Sequence, residues 1–243
     1  MFHASSPTSP FPLFNPYAIP HSNLDSCSID CLDYDAFRFP GANKVTTVTM
    51  QRNDYDTLPE ELLWNMESML YLYARSQNKL TGLPERFFLN QSQLLLAFFS
   101  NSYQLGAQGL PDGLLKGLTS LMYLSFDYCS IRNMPNLDDL TALVLFYAQG
   151  PTGNTDGFNG QWHMPDEESY TKFDSLVSTT TLYITNQKLT RIPSLKNMGV
   201  LQTLNMNGNK IPGSLRGTLR ELHSWCSSDL APTVLFPLRQ KRS

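Results

Sequence analysis

The sequence predicts an α/β solenoid: a curved parallel β-sheet built from about seven short, irregular repeats. Three observations predict it. One apolar spacing recurs from Val45 to Pro212, most of the chain. The ninth position of a copy carries Asn or a substitute for it, and the copies that start at Val45, Leu121 and Thr179 all leave the strand at an apolar-proline pair. A unit this short cannot bury its apolar face alone, so the units must stack.

In chain order, residues 1–40 form a Pro- and Ser-rich amino-terminal segment with Pro7, Pro10, Pro12, Pro16 and Pro20. Residues 41–215 hold the repeats. The first reads Val45, Val48, Met50, Asn53, Tyr55, Leu58-Pro59. In the next, Met69, Leu72 and Ala74 fit the strand half, but Asn78, Leu80 and Leu83-Pro84 fit the return only with one inserted residue, which predicts a bulge. Gln93, Leu96, Phe98 and Asn101 begin a third copy, and the late Leu110-Pro111 makes 102–109 a longer loop. Leu121, Leu124, Phe126, Cys129 and Ile131 follow, and Leu140, Leu143, Leu145 and Ala148 form a compact copy. An irregular insertion spans 149–175. Thr179, Leu182, Ile184, Gln187 and Leu189 resume the pattern, and Leu201, Leu204, Met206, Asn209 and Ile211 complete it. Residues 216–243 are assigned to a carboxy-terminal cap or tail.

The spacing has a physical reason. Side chains alternate along a strand, so positions four and six point inward and position five points outward. At position nine the chain leaves the strand, and a buried Asn amide can pair with the backbone of neighbouring turns. Ala148 cannot make those bonds, which predicts a local break before the insertion.

On these residues the chain resembles the leucine-rich repeat family. The resemblance implies a solenoid (horseshoe) with a parallel sheet on its concave face, short helical or extended segments outside, and a role in binding another macromolecule. The returns Leu58-Pro59-Glu60-Glu61 and Leu83-Pro84-Glu85-Arg86 resemble the long repeat subtype, whereas Leu137, Leu140, Leu143 and the 189–201 stretch resemble a shorter one. Cys27 and Cys31 before the first repeat resemble part of the cysteine cap of extracellular members, with Cys226 where a carboxy-terminal cap would lie. Cys27 with Cys31 is the favoured pair; the reading with every cysteine reduced stands beside it. Cys129 belongs to a repeat turn.

Composition agrees with one elongated domain: 243 residues, 41% hydrophobic and 16% charged. A net charge of -3 gives no electrostatic footprint for nucleic acid. No apolar run is long enough to span a bilayer, and the amino-terminal segment lacks the charged and apolar regions of a secretory signal. The chain as written therefore reads as cytosolic, whereas the cap-like cysteines and the glycosylation sequon Asn90-Gln91-Ser92 favour the cell exterior. No oligomeric state is read from it.

Enzyme signatures are thin. His3, His21, His163 and His223 have no metal-ligand spacing, and no nucleophile elbow, Walker loop or dinucleotide fingerprint occurs. His163 with Asp166, Glu167 and Glu168 is the one titratable cluster. Asn154, Asp156 and Asn159 lack the spacing of a calcium loop, and a solvated loop is the favoured reading. No catalytic residue, cofactor or metal is assigned.

Function is sought on the concave face. Outward positions five and seven give Tyr73 and Arg75, Ala97 and Phe99, Ser125 and Asp127, Val144 and Phe146, and Tyr183 and Thr185 in the middle, with Tyr128 and Tyr147 at strand exits. The partner-binding candidates are Tyr73, Arg75, Phe99, Tyr123, Asp127, Tyr128, Phe146, Tyr147 and Tyr183, because aromatic residues and arginine dominate interface hot spots. The competing expectation is that the insertion, with Phe158, Trp162, Tyr170 and Phe173, folds back over these strands. The sequence reads as a protein- or peptide-binding module, receptor-like or adhesive. An intracellular scaffold is the first alternative, and an enzyme using the His163 loop a distant one.

Overall fold

The computed structural model describes residues 21–150 and 167–211 together with the strand at 233–235. Nine strands form one parallel sheet whose spatial order is the chain order: β1 (His21–Asn23), β2 (Thr47–Thr49), β3 (Tyr71–Tyr73), β4 (Leu96–Phe98), β5 (Tyr123–Ser125), β6 (Leu145–Tyr147), β7 (Thr181–Tyr183), β8 (Thr203–Asn205) and β9 (Thr233–Leu235). Strands β2 to β8 are the seven repeats of the sequence. One further strand extends the sheet at each end, so β1 lies inside the segment read as a cap and β9 inside the segment read as a carboxy-terminal cap or tail.

Register runs unbroken through Val48, Leu72, Ala97, Leu124, Phe146, Leu182 and Leu204, all fully buried. These are the fourth positions of the repeats, and they form the floor of a continuous core. The return segments close it from the other side with Leu62, Leu63 and Met66, then Phe87 and Phe88, then Leu114, Leu115 and Leu118. Their backbone is a series of tight turns with bonds to the carbonyl three residues back, such as Phe87 to Pro84 and Leu114 to Pro111.

Position nine works as its chemistry predicts. Asn209 accepts the N–H groups of Gln187 (3.0 Å) and Leu189 (3.1 Å) and donates to the carbonyls of Ile184 and Met206. Asn53 repeats this toward Cys27, Ile29, Leu24 and Met50. The substitutes keep the step to the preceding repeat: Gln77 donates to Met50, Gln187 to Ala148 (2.9 Å), and the Cys129 thiol to Phe99 (3.2 Å).

Position eight is left-handed in repeat after repeat: Arg52, Ser76, Asn101, Tyr128, Asn186 and Gly208 all have φ between 54° and 75°. Where the next repeat is described, position eight also continues the ladder. The N–H of position eight turns sideways onto the position-seven carbonyl of the next repeat, as from Arg52 to Arg75 and from Asn101 to Asp127. The chain then drops the ninth side chain into the core.

Three sequence expectations are corrected. The third copy is read one residue early: Leu94, Ala97, Phe99 and Ser102, not Gln93, Leu96, Phe98 and Asn101, hold the inward positions. A one-residue slip exchanges the two faces of a strand, and the alternative would bury Gln93 and lose the Phe99–Phe126 stack at 5.7 Å. The compact copy starts three residues later than read, with Leu143, Phe146 and Ala148 at positions one, four and six, so Ala148 fills an inward strand position and not the ninth position of a broken turn. The predicted bulge after Ala74 is absent, because Gln77 rather than Asn78 fills position nine and its longer side chain spans the gap.

Of the insertion, α1 (Glu167–Thr171) and the 3-10 turn Lys172–Ser175 are described. They pack as a return segment. Phe173 is fully buried 6.3 Å from Phe146, Ser175 donates to the Leu137 carbonyl, and Lys172 pairs with Asp112 at 2.7 Å. Tyr170 and Phe173 thus do not cover the concave strands. Phe158, Trp162, His163 and Asp166, with the neighbouring Asn154, Asp156 and Asn159, lie outside the described residues. Among the described cysteines Cys27 and Cys31 are exposed free thiols and Cys129 a buried one, so the predicted Cys27–Cys31 bond is not formed. Cys27 stands at the ninth position of the β1 repeat and donates its backbone N–H to Asn53.

Candidate binding surface on the concave face

Parallel strands in register bring every third, fifth and seventh repeat position into three rows across the concave face. The first row places Tyr71, Leu96, Tyr123 and Leu145 side by side. The second places Tyr73, Phe98, Ser125, Tyr147 and Tyr183 side by side. The third, just past the strand ends, holds Arg75, Ser100, Asp127 and Gln149, tied by the position-eight bonds. Toward each end the rows turn polar, with Thr49 and Gln51 before them and Asn205 and Asn207 after.

The rings interact along the second row. Tyr73 meets Phe98 edge-on at 5.8 Å, and Tyr147 stacks on Tyr183 at 5.1 Å. The Arg75 guanidinium lies 4.6 Å from the Phe98 centroid and 6.0 Å from that of Tyr73. Between the two ring pairs the small Ser125 is buried and shares a 2.7 Å hydrogen bond with Ser100.

Burial pushes the Tyr73 hydroxyl up, with the Arg75 charge acting in the opposite direction. It pushes Tyr147 up as well, and the neighbouring Tyr183 and Asp127 add to this. The Asp127 carboxyl is raised by burial against the pull of Gln149, Ser125 and Arg75. The phenols therefore stay neutral through the physiological range and offer both a ring face and a hydroxyl.

Tyr73, Arg75, Tyr123, Asp127, Tyr147 and Tyr183 from the sequence reading come together on this face. Tyr128 sits at its margin, exposed on the left-handed turn. Phe99 and Phe146 do not belong to it; both are fully buried and point into the core. Tyr71, Leu96, Phe98 and Leu145 were missed. Tyr71 was legible once third positions are counted with the fifth, whereas Phe98 required the corrected register. Among the described residues no group of three or more His, Cys, Asp and Glu could hold a metal ion, and no helix is long and apolar enough to cross a membrane.

The repeat spacing and the one-strand-per-repeat parallel sheet define the chain as a leucine-rich-repeat solenoid. Similar solved structures include Toll in the Drosophila Toll–Spätzle complex, glycosylated form (18% identity over 79% of this chain, TM-score 0.46), and the leucine-rich repeat domain of APL1B (16% over 79%, TM-score 0.47). A second structure of the Toll–Spätzle complex is 17% identical over 78% of this chain, with a TM-score of 0.45. The chain spans 32%, 63% and 31% of the lengths of those three chains. No protein-family model matches the chain, and no curated protein matches its sequence.

Proposed function

We propose that the chain is a binding module, not an enzyme, that recognises a protein or peptide through the concave face of its sheet. The observation that carries this is the run of half-buried rings across five adjacent strands, Tyr71 and Tyr73 to Tyr183. An outward sheet face in water is normally polar, and contiguous apolar surface marks an interaction site. Tyrosines give rigid area with a polar tip, and arginine beside them completes the residue types that concentrate binding energy.

The setting we favour is a recognition or adhesion ectodomain. Asn90 and Ser92 of the sequon are exposed on the return into β4, where a glycan would leave the concave rows free. Secretory expression followed by glycosidase treatment checks this through a mass shift that Asn90→Gln removes.

The binding reading is tested with peptides selected on the protein from a displayed random-sequence library. Tyr147→Ala with Tyr183→Ala is expected to weaken their binding by at least about tenfold while the far-UV spectrum and melting temperature hold. Selected peptides that bind the double variant as well as they bind the parent would overturn the concave-face reading.

A further inference from the structure

Apart from the tyrosines, four described side chains in the three rows can carry charge: His21, Asp25, Arg75 and Asp127. The two carboxylates are already used. Asp25 accepts the backbone N–H of Gln51 at 2.7 Å and its side-chain amide at 3.0 Å. Asp127 does the same for Gln149, at 2.8 Å and 3.5 Å. His21 stands at the first strand, far from the rings.

Arg75 is different. Among the described residues it forms no ion pair, and its buried Nε has no hydrogen-bond partner. Its charge and that of Asp127 influence one another without ion-pair contact. The rings of Phe98 and Tyr73 cover part of the guanidinium and displace water from it, which strengthens any charge-assisted bond made there. The middle of the face therefore carries a guanidinium that no described carboxylate pairs directly, held on an aromatic platform, with the Asp127 carboxylate acting on it only from a distance.

We propose that Arg75 anchors the carboxylate of a Glu or Asp side chain in an extended segment of the protein partner. The inference rests on the concave-face reading and names the chemistry of its centre. A guanidinium offers parallel N–H groups at the spacing of two carboxylate oxygens, so an acid is bound in a fixed orientation while the rings take the apolar part of the segment.

The first test is direct. N-acetyl-glutamate methylamide is titrated into isotope-labelled protein, with N-acetyl-glutamine methylamide as the uncharged control. The glutamate probe shifts the Arg75 Nε–H and Phe98 ring signals at concentrations at least about tenfold lower than the control, and Arg75→Gln abolishes the Phe98 shift. Equal responses to the two probes, or no response, overturn the proposal.

The second test separates this proposal from the reading beneath it. Peptides selected from a random-sequence library are expected to carry Asp or Glu at a fixed position and to lose at least about tenfold affinity for Arg75→Gln. Peptides that need Tyr147 and Tyr183 yet bind Arg75→Gln unchanged would overturn the anchor and leave the concave-face reading standing. Peptides indifferent to all three substitutions would remove the reading itself.

Discussion

The Asp127 carboxylate accepts the backbone N–H of Gln149 from the neighbouring repeat at 2.8 Å. This N–H is at position seven, between the two that the sheet ladder uses, Ala148 onto Tyr183 and Gly150 onto Thr185. A half-buried peptide group needs a partner, and other repeats find one in the same way: Asp25 serves Gln51, and Asn205 serves Asn207. Polar side chains of the concave face thus satisfy these backbone groups, which leaves the rings free of that duty.

Asp127→Asn should therefore cost little at neutral pH, because the amide oxygen still accepts from Gln149. Burial raises the Asp127 carboxyl in the folded state. Between the ordinary carboxylate value and that raised value the folded chain holds more protons than the unfolded one, so this group's contribution to stability falls as pH rises through the window. Thermal unfolding should show the Asn variant at or above the parent at pH 7, with the parent gaining on it as pH falls through the window. Asp127→Ala should melt lower at both pH values, by about 1–2 kcal/mol, since it leaves Gln149 unpaired. An Asn variant as unstable as the Ala variant would show that the ionised charge itself is required.

Phe99 and Phe146 should behave as core residues. Phe99 stacks on Phe126 and meets Phe88 at 6.1 Å, and Phe146 meets Phe173, all five buried. Truncation to Ala removes a ring from a packed interior and is expected to cost roughly 3–5 kcal/mol in denaturant unfolding. Tyr147→Ala, on the concave face, should cost less than about 1 kcal/mol. Similar losses at Phe146 and Tyr147 would contradict the register described here.

These two phenylalanines also mark where sequence reading stops. The fold was legible because a buried amide at position nine and alternating apolar residues leave a strong pattern, as at Asn53 and Asn209. The faces were legible only where position four is large. At Ala97 the small side chain hid the true register, since Leu96 and Phe98 look more like core residues, and what distinguishes them is the ring stack of Phe99 on the next repeat. At Cys129 and Gln187 the substitutes keep a donor, so the pattern survived. At Ser102 the hydroxyl accepts from Gln77 instead, and the copy was misread. Arg75 was named from residue type, but that it makes no direct ion pair is a property of its neighbours on other strands.

Gly208 and Asn186 should be coupled. A Cβ added at Gly208 would lie 1.8 Å from Asn186 Oδ1, and Gly208 has φ of 75°. Asn186 in turn donates to the Gly150 carbonyl at 3.1 Å. Gly208→Ala is expected to destabilise by about 2 kcal/mol through clash and backbone strain, whereas Asn186→Ala loses about 1 kcal/mol with its hydrogen bond. In the double variant the clash is gone, so the combined loss should be smaller than the sum. Strict additivity in a double-mutant cycle would mean that Gly208 is required for its φ alone.

The left-handed turn at position eight offers a stabilising substitution. Arg52 holds φ of 54° with an exposed side chain, and its N–H is committed to the Arg75 carbonyl at 3.0 Å. An L-residue in this region carries a cost of roughly 1–2 kcal/mol that glycine does not. Glycine also loses more chain entropy on folding, which offsets part of the gain. Arg52→Gly should therefore raise stability by about 0.5–1 kcal/mol, and Arg52→Val should lower it, because a β-branched side chain tolerates positive φ worst. Denaturant midpoints for the two variants check the pair. A Val variant as stable as the Gly variant would show that the turn relaxes out of the left-handed region.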